Sequence, residues 1–177
     1  LEGVEYTEDN GDCASPAYNL VAGTTWLFPR PDMRANPVDF LVIDEAGQLG
    51  LADAVAAALG SKNVVLLGDP QQLKQVDKAS HPVGSGASVL EHVLGGEATI
   101  PKDRGVFLDV TYRMHPDVCT FISGEIYDGR LVPHPDCSQQ GTEHGTGLRW
   151  VRATHQERST DSEEEATIVV DTITGLL

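Results

Sequence analysis

Three short segments carry residue types able to do chemistry on a phosphate. The first is Phe40–Leu41–Val42–Ile43, a continuous apolar run that ends in Asp44–Glu45. Strands of a parallel sheet deliver their next residues to the carboxyl edge, where ligands bind. An aspartate there suits Mg²⁺, held through a water, because hard oxygen ligands suit that ion. A glutamate beside it can orient and deprotonate an attacking water. Alone, Asp-Glu after an apolar run is as readily the opening of a loop. The second segment is Val64–Val65–Leu66–Leu67 and then Gly68–Asp69–Pro70–Gln71–Gln72–Leu73. Asp69 is expected at the same edge as Asp44, and the Gln72 amide can donate to a phosphate oxygen and accept from a water. The third is Thr111–Tyr112–Arg113–Met114–His115–Pro116. The planar fork of Arg113 matches phosphate oxygens and stays charged, and Tyr112 offers a flat face to a base.

These residues need a scaffold, and the pattern around them predicts one. Unbroken hydrophobicity in Phe40–Ile43 and Val64–Leu67 predicts parallel strands buried on both faces. Between them, 51–59 is Ala- and Leu-rich, and Gly60 is a natural stop, so a strand–helix–strand crossover is expected. Tyr18–Thr24 reads as another short buried strand, Val106–Val110 as a third core strand, and Leu148–Val151 as one more. Helices are expected over Ser85–Leu94, over Pro116–Tyr127 with proline in its first turn, and over Ser162–Leu177. The last is opened by Glu163, Glu164 and Glu165, which suit the positive end of its dipole. Residues 1–17, 74–86 and 128–147 read as loops. Trp26 and Trp150 read as packing residues, since nothing basic surrounds them. His134–Pro135–Asp136–Cys137 with His144 lacks a paired ligand set and reads as loop rather than metal site.

Composition narrows the class. A chain of 177 residues, 40% of them hydrophobic, can bury a core. A net charge of −15 repels a phosphate backbone, so nucleic acid is expected to bind this segment poorly. Cys13, Cys119 and Cys137 are scattered and odd in number, which fits a reducing cytosol and no disulfide scaffold. No apolar run reaches the length of a membrane span. The acidic start lacks both an initiator methionine and the features of a signal peptide, and the chain is read as a segment of a longer protein.

Taken in order, Asp44–Glu45–Ala46–Gly47–Gln48, Gly68–Asp69–Pro70–Gln71–Gln72–Leu73 and Tyr112–Arg113–Met114–His115–Pro116 resemble motifs II, III and IV of superfamily 1 helicases. The 1B branch, which includes senataxin and the nonsense-mediated-decay RNA helicase, is the nearest likeness. Gly86–Glu91 and Ile126–Leu131 also resemble its linking segments, so the likeness runs over roughly residues 18–177. It implies a partial α/β, parallel-sheet, RecA-like P-loop NTPase fold. Residues 1–110 would be the back of the first lobe and 111–177 the front of the second. The resemblance makes Asp44 the Mg²⁺-linked aspartate and Glu45 the catalytic glutamate. It makes Gln72 the γ-phosphate sensor, Arg113 the arginine finger and Tyr112 the adenine-stacking tyrosine. Gln48 falls near the nucleotide, with Asp69 in the same ATP-binding set. Gly47 departs mildly from the family pattern.

One expected element is absent from the sequence. No G-x-x-x-x-G-K-[ST] occurs, and Lys62, Lys74, Lys78 and Lys102 come after Ser, Leu, Asp and Pro. The β- and γ-phosphates of ATP therefore lack their usual cradle within this segment. The resemblance implies an intracellular parent that spends ATP, with Mg²⁺, on movement along single-stranded DNA or RNA. Residues 1–177 alone are expected to be inactive and, with sheet edges uncovered, prone to self-association. The rival reading is a helicase-derived module that keeps the fold as a binding or scaffold part.

Overall fold

The computed structural model describes residues 3, 6–72, 86–154 and 160–176. They fall into two compact units, Leu1–Val106 and Phe107–Leu177. The loop expected at 74–86 lies outside the described residues except for Gly86.

The first unit is built on two parallel strands, β1 (Val38–Ile43) and β2 (Ser61–Leu66). Helix α1 (Pro31–Ala35) precedes β1, and α2 (Leu51–Ala58) joins the strands. The register runs from Val38 opposite Ser61 to Ile43 opposite Leu66. It carries one step further through Leu67 N–H, which donates to the Ile43 carbonyl at 2.9 Å. The crossover expected from the apolar runs is thus present. The burial expected of β1 is not. Leu41 and Ile43 point into the core, while Phe40 is 65% and Val42 55% exposed. Pleating sends successive side chains to opposite faces, and among the described residues β1 is covered on one face and open on the other. An exposed Phe or Val forgoes about 1.5–3 kcal/mol of burial each. The covered face packs on a core centred on Met33, with Leu27, Phe28, Leu90 and Leu94 around it.

Helix α3 (Val89–Leu94) begins later than its apolar pattern suggests because Ser88 caps it. The buried Ser88 Oγ accepts from Glu91 N–H at 3.1 Å, and Gly95 ends the helix in the left-handed region. The run Tyr18–Thr24 forms no strand, and Leu20 is 90% exposed. Hydrophobic residues become a strand only where a neighbour completes the hydrogen-bond ladder, and none among the described residues does so here.

The second unit repeats the strand–helix–strand plan in miniature. Strands β3 (Val110–Thr111) and β4 (Val132–Pro133) pair in parallel and are joined by α4 (Pro116–Ile126). Val106 and Leu108 are exposed, so the third strand shrinks to its last residue plus Thr111. The expected loop 128–147 contains β4 and a 3-10 turn over Pro135–Gln139. Two identical triplets start the two helical segments. His115–Pro116–Asp117 opens α4 and His134–Pro135–Asp136 opens the 3-10 turn. In each, the histidine Nδ1 accepts from the aspartate backbone N–H, at 3.1 and 3.3 Å. Proline is at home in the first turn because its missing N–H has no helical partner.

Helix α5 (Glu163–Leu176) forms as expected but buries none of its side chains. It lines an open groove with Trp150, Val151, Arg152 and Ala153, which belong to no strand, so the strand expected over Leu148–Val151 is absent. Trp26 and Trp150 are 81% and 83% exposed and do not pack in a core, contrary to expectation. Among the described residues no helix is long and apolar enough to cross a membrane.

Cys119 and Cys137 are buried and act as small hydrophobes. Their thiols lie within reach of the Leu131 and Thr111 carbonyls, at 3.8 and 3.7 Å. Burial, reinforced by Cys137, pushes the Cys119 thiol above its ordinary pKa. Both the cap and the thiol burial can be measured. Ser88→Ala should lower stability by about 1 kcal/mol in denaturant unfolding, the usual value of an N-cap. With an alkylating reagent at mildly alkaline pH, Cys13 should react well ahead of Cys119 in the folded chain, because less thiolate is present at Cys119. Equal labelling rates would contradict the burial described.

Candidate active site

Strand β1 ends at Ile43 and delivers Asp44 and Glu45, both exposed, to the carboxyl edge of the sheet. The backbone then turns hard. Glu45 sits at φ 53°, a left-handed conformation that a side chain makes costly. The local hydrogen bonds hold it there. Asp44 Oδ1 accepts from Glu45 N–H at 3.0 Å, and the Glu45 carbonyl accepts from Gln48 N–H at 2.8 Å. Ala46 N–H donates to the Leu67 carbonyl at 2.8 Å, tying the turn to the end of β2.

That tie explains the two glycines. A Cβ at Gly47 would stand 2.1 Å from the Asp69 carbonyl oxygen. One at Gly68, where φ is 154°, would stand 2.8 Å from Ala46 N. The two loops pass backbone to backbone, and only glycine leaves room. Gly47, a departure from the family pattern, is therefore accounted for by this close approach.

The contact also sets the polar side chains. Gln48 Nε2 donates to Gln72 Oε1 at 3.3 Å, joining the two loops across 24 residues of sequence. The Asp69 carboxylate accepts from Gln71 N–H at 2.9 Å and so caps its own turn, while the Asp69 backbone faces Gly47. Beside this edge lies a cleft of about 390 Å³ whose polar lining is Gly23, Thr25, Asp44, Glu45 and Gln48. Sequence reasoning missed Gly23 and Thr25. The signal was the small, polar end of the run Tyr18–Thr24, which reads as the tail of a strand.

The other two expected residues belong to the second unit. Tyr112 is 71% exposed, and its ring stacks on His134, with centroids 4.4 Å apart and planes 25° from parallel. Arg113 comes next at the end of β3, exposed, with its N–H bonded to Thr111 Oγ1 at 3.2 Å. The sequence-predicted set is thus divided. Asp44, Glu45, Gln48, Asp69 and Gln72 share one edge of the first unit, and Tyr112 and Arg113 share the end of one strand in the second.

Two family models match this chain. One, described as the viral superfamily 1 RNA helicase core domain, covers residues 19–119. The other, described as an AAA domain, covers residues 86–177. Each spans more than half of the 177 residues. The chain belongs to the superfamily 1 helicases. Its relatives agree. The chain is 34% identical to the probable helicase MAGATAMA 3 of Arabidopsis thaliana over 107 residues, 59% of this chain and 12% of that protein. It is 33% identical to Helicase SEN1 of Saccharomyces cerevisiae over 99 residues, 55% of this chain and 4% of that one. It is 33% identical to the Regulator of nonsense transcripts 1 homolog of Neurospora crassa over 105 residues, 56% of this chain and 9% of that one. The match therefore spans about an eighth or less of these relatives' length. Together with the parallel strands, these likenesses make the fold a partial RecA-like one of the 1B type.

The glycine contact can be tested directly in this superfamily 1 segment. Gly47→Ala should destabilise it by about 1–3 kcal/mol in denaturant unfolding, as overpacking does. Gly50→Ala is the control, because there a Cβ meets nothing closer than a side-chain oxygen at 3.9 Å. Equal effects of the two substitutions would refute the close approach.

Proposed function

We propose that this segment belongs to an intracellular motor that couples hydrolysis of ATP to movement along single-stranded DNA or RNA. The observation that supports this reading is the sheet edge where Asp44 and Glu45 emerge beside the Gln48–Gln72 hydrogen bond. That bond gives the first loop a physical link to the second. A change at the nucleotide end can therefore be felt at Gln72, which is what coupling requires.

The cleft's lining fits a metal-bound polyphosphate better than a bare one. Among the described residues that line it are two carboxylates and no lysine or arginine. A bare polyanion is repelled by such a lining, whereas a divalent ion reverses the sign of the interaction. Asp44 would hold Mg²⁺, through a water. When bound, that ion supplies neutralisation of charge on the phosphates. Glu45 orients the attacking water and accepts its proton. Gln48 and Gln72 offer amides to the nucleotide, with Asp69 shaping the turn that presents Gln72. Arg113 contributes a guanidinium to the transferred phosphate, and Tyr112 a stacking face to the base.

The boundary between lobe pieces is proposed at residues 110 and 111. Residues 1–177 by themselves should not turn ATP over, since no phosphate-cradling loop occurs among them. The decisive experiment is ATP turnover by the full-length protein, with and without single-stranded DNA and RNA. Glu45→Gln should abolish turnover, by at least about a hundredfold, as loss of a general base does, while ATP binding stays near wild type. Turnover unchanged by Glu45→Gln would sink the catalytic role. No turnover under any condition would leave the scaffold reading in its place.

A further inference from the structure

We propose that His134 is a positioning residue for nucleotide binding: its ring covers one face of Tyr112 and fixes the opposite face as the platform for a nucleobase. The proposal rests on the reading of Tyr112 as the stacking residue and goes beyond it to a second residue, which sequence reasoning left in a loop.

The placement begins in the strand register. Thr111 pairs with Pro133 across the parallel β3–β4 ladder, and His134 N–H donates to the Thr111 carbonyl at 2.8 Å. The next residue on each strand is therefore brought alongside its neighbour, Tyr112 beside His134. The His134 ring is then held from its other end. Its Nδ1 accepts from Asp136 N–H at 3.3 Å, the cap of the turn that Pro135 starts. A ring pinned at Nδ1 has little freedom to rotate. It lies 4.4 Å from the Tyr112 ring, centroid to centroid, and 25° from parallel. That is a stacked ring pair, worth more than the area it buries.

Tyr112 remains 71% exposed although one ring face is covered. An unsupported tyrosine at a strand end samples several rotamers, and a base binding to it must first select one. The stack on His134 removes that cost beforehand. A stacked face has no donor or acceptor pattern of its own, so it takes any base by π-area, and a purine better than a pyrimidine.

Two substitutions separate the stack from the cap. His134→Asn keeps a good N-cap and loses the ring; His134→Phe keeps the ring and loses the cap. The measurement is equilibrium binding of a ribose-labelled, non-hydrolysable ATP analogue with Mg²⁺ to the full-length protein. His134→Asn should weaken binding about three- to tenfold, the size of an aromatic pair, and His134→Phe should stay within about twofold of wild type. In a Tyr112→Ala background, His134→Asn should add less than about twofold, as coupled residues do. Loss of affinity in His134→Phe while His134→Asn binds as wild type would overturn the proposal in favour of a purely structural cap. So would wild-type binding by His134→Asn while Tyr112→Ala is weakened, and that result would leave Tyr112's own role standing. Wild-type binding by Tyr112→Ala would remove the nucleotide reading of Tyr112, and this proposal with it.

Discussion

The close passage of two loop backbones, Ala46–Gly47 against Gly68–Asp69, is the constraint on which the arrangement of the first unit's candidate site depends. Parallel pairing of β1 with β2 brings the strand ends level. The Ala46 N–H to Leu67 carbonyl bond then draws the adjoining residues together until no side chain fits between them. Only with that spacing can Gln48 reach Gln72, a contact between side chains 24 residues apart in sequence. Two glycines thus do by omission what no side chain could do. Their role in chemistry is indirect, and it explains why glycine rather than a bulkier residue stands so soon after the acid pair.

The rest of the architecture is spare. One sheet face is covered and the other carries Phe40 and Val42 in the open. Helix α5 shows its apolar residues Val169, Val170 and Ile173 to solvent as well. A chain of ordinary stability holds only a few kcal/mol in reserve, and these uncovered side chains contribute almost nothing to it. Such surfaces favour association with anything apolar. In the relatives compared, the matched stretch is between 4% and 12% of their own length.

The chemical motifs are legible in the sequence because their information is local. An acid pair after an apolar run, a Gly-Asp-Pro-Gln turn and a Tyr-Arg step each announce themselves without reference to distant residues. The crossover between β1 and β2 is legible for the same reason, since alanine content sets α2 and apolar runs set the strands. The expectations that failed depended on partners. Tyr18–Thr24 and Leu148–Val151 are apolar enough for strands, but a strand is a property of a pair, and no described neighbour completes the ladder. Trp26 and Trp150 have the size of packing residues, yet they lie exposed because no described element covers them. His134 escapes a sequence reading because register alone sets it beside Tyr112, each one residue past the paired Thr111 and Pro133. The repeated His-Pro-Asp triplet is the available clue, since the first copy already opens α4.

The backbone at Glu45 completes the physical picture. A side-chain-bearing residue at φ 53° costs roughly 1–3 kcal/mol, and glycine would remove that cost at the same position. The neighbouring bonds offset part of it: Asp44 Oδ1 on the Glu45 amide, the Glu45 carbonyl on Gln48 N–H, and Ala46 tied to β2. Each of those bonds also fixes a residue of the candidate site. The strain and the site therefore share their supports. Loosening the turn would relieve Glu45, but it would release Asp44 and Gln48 from the arrangement that joins them to the second loop. On the function proposed, that strain is carried at the residue assigned to take the proton from water.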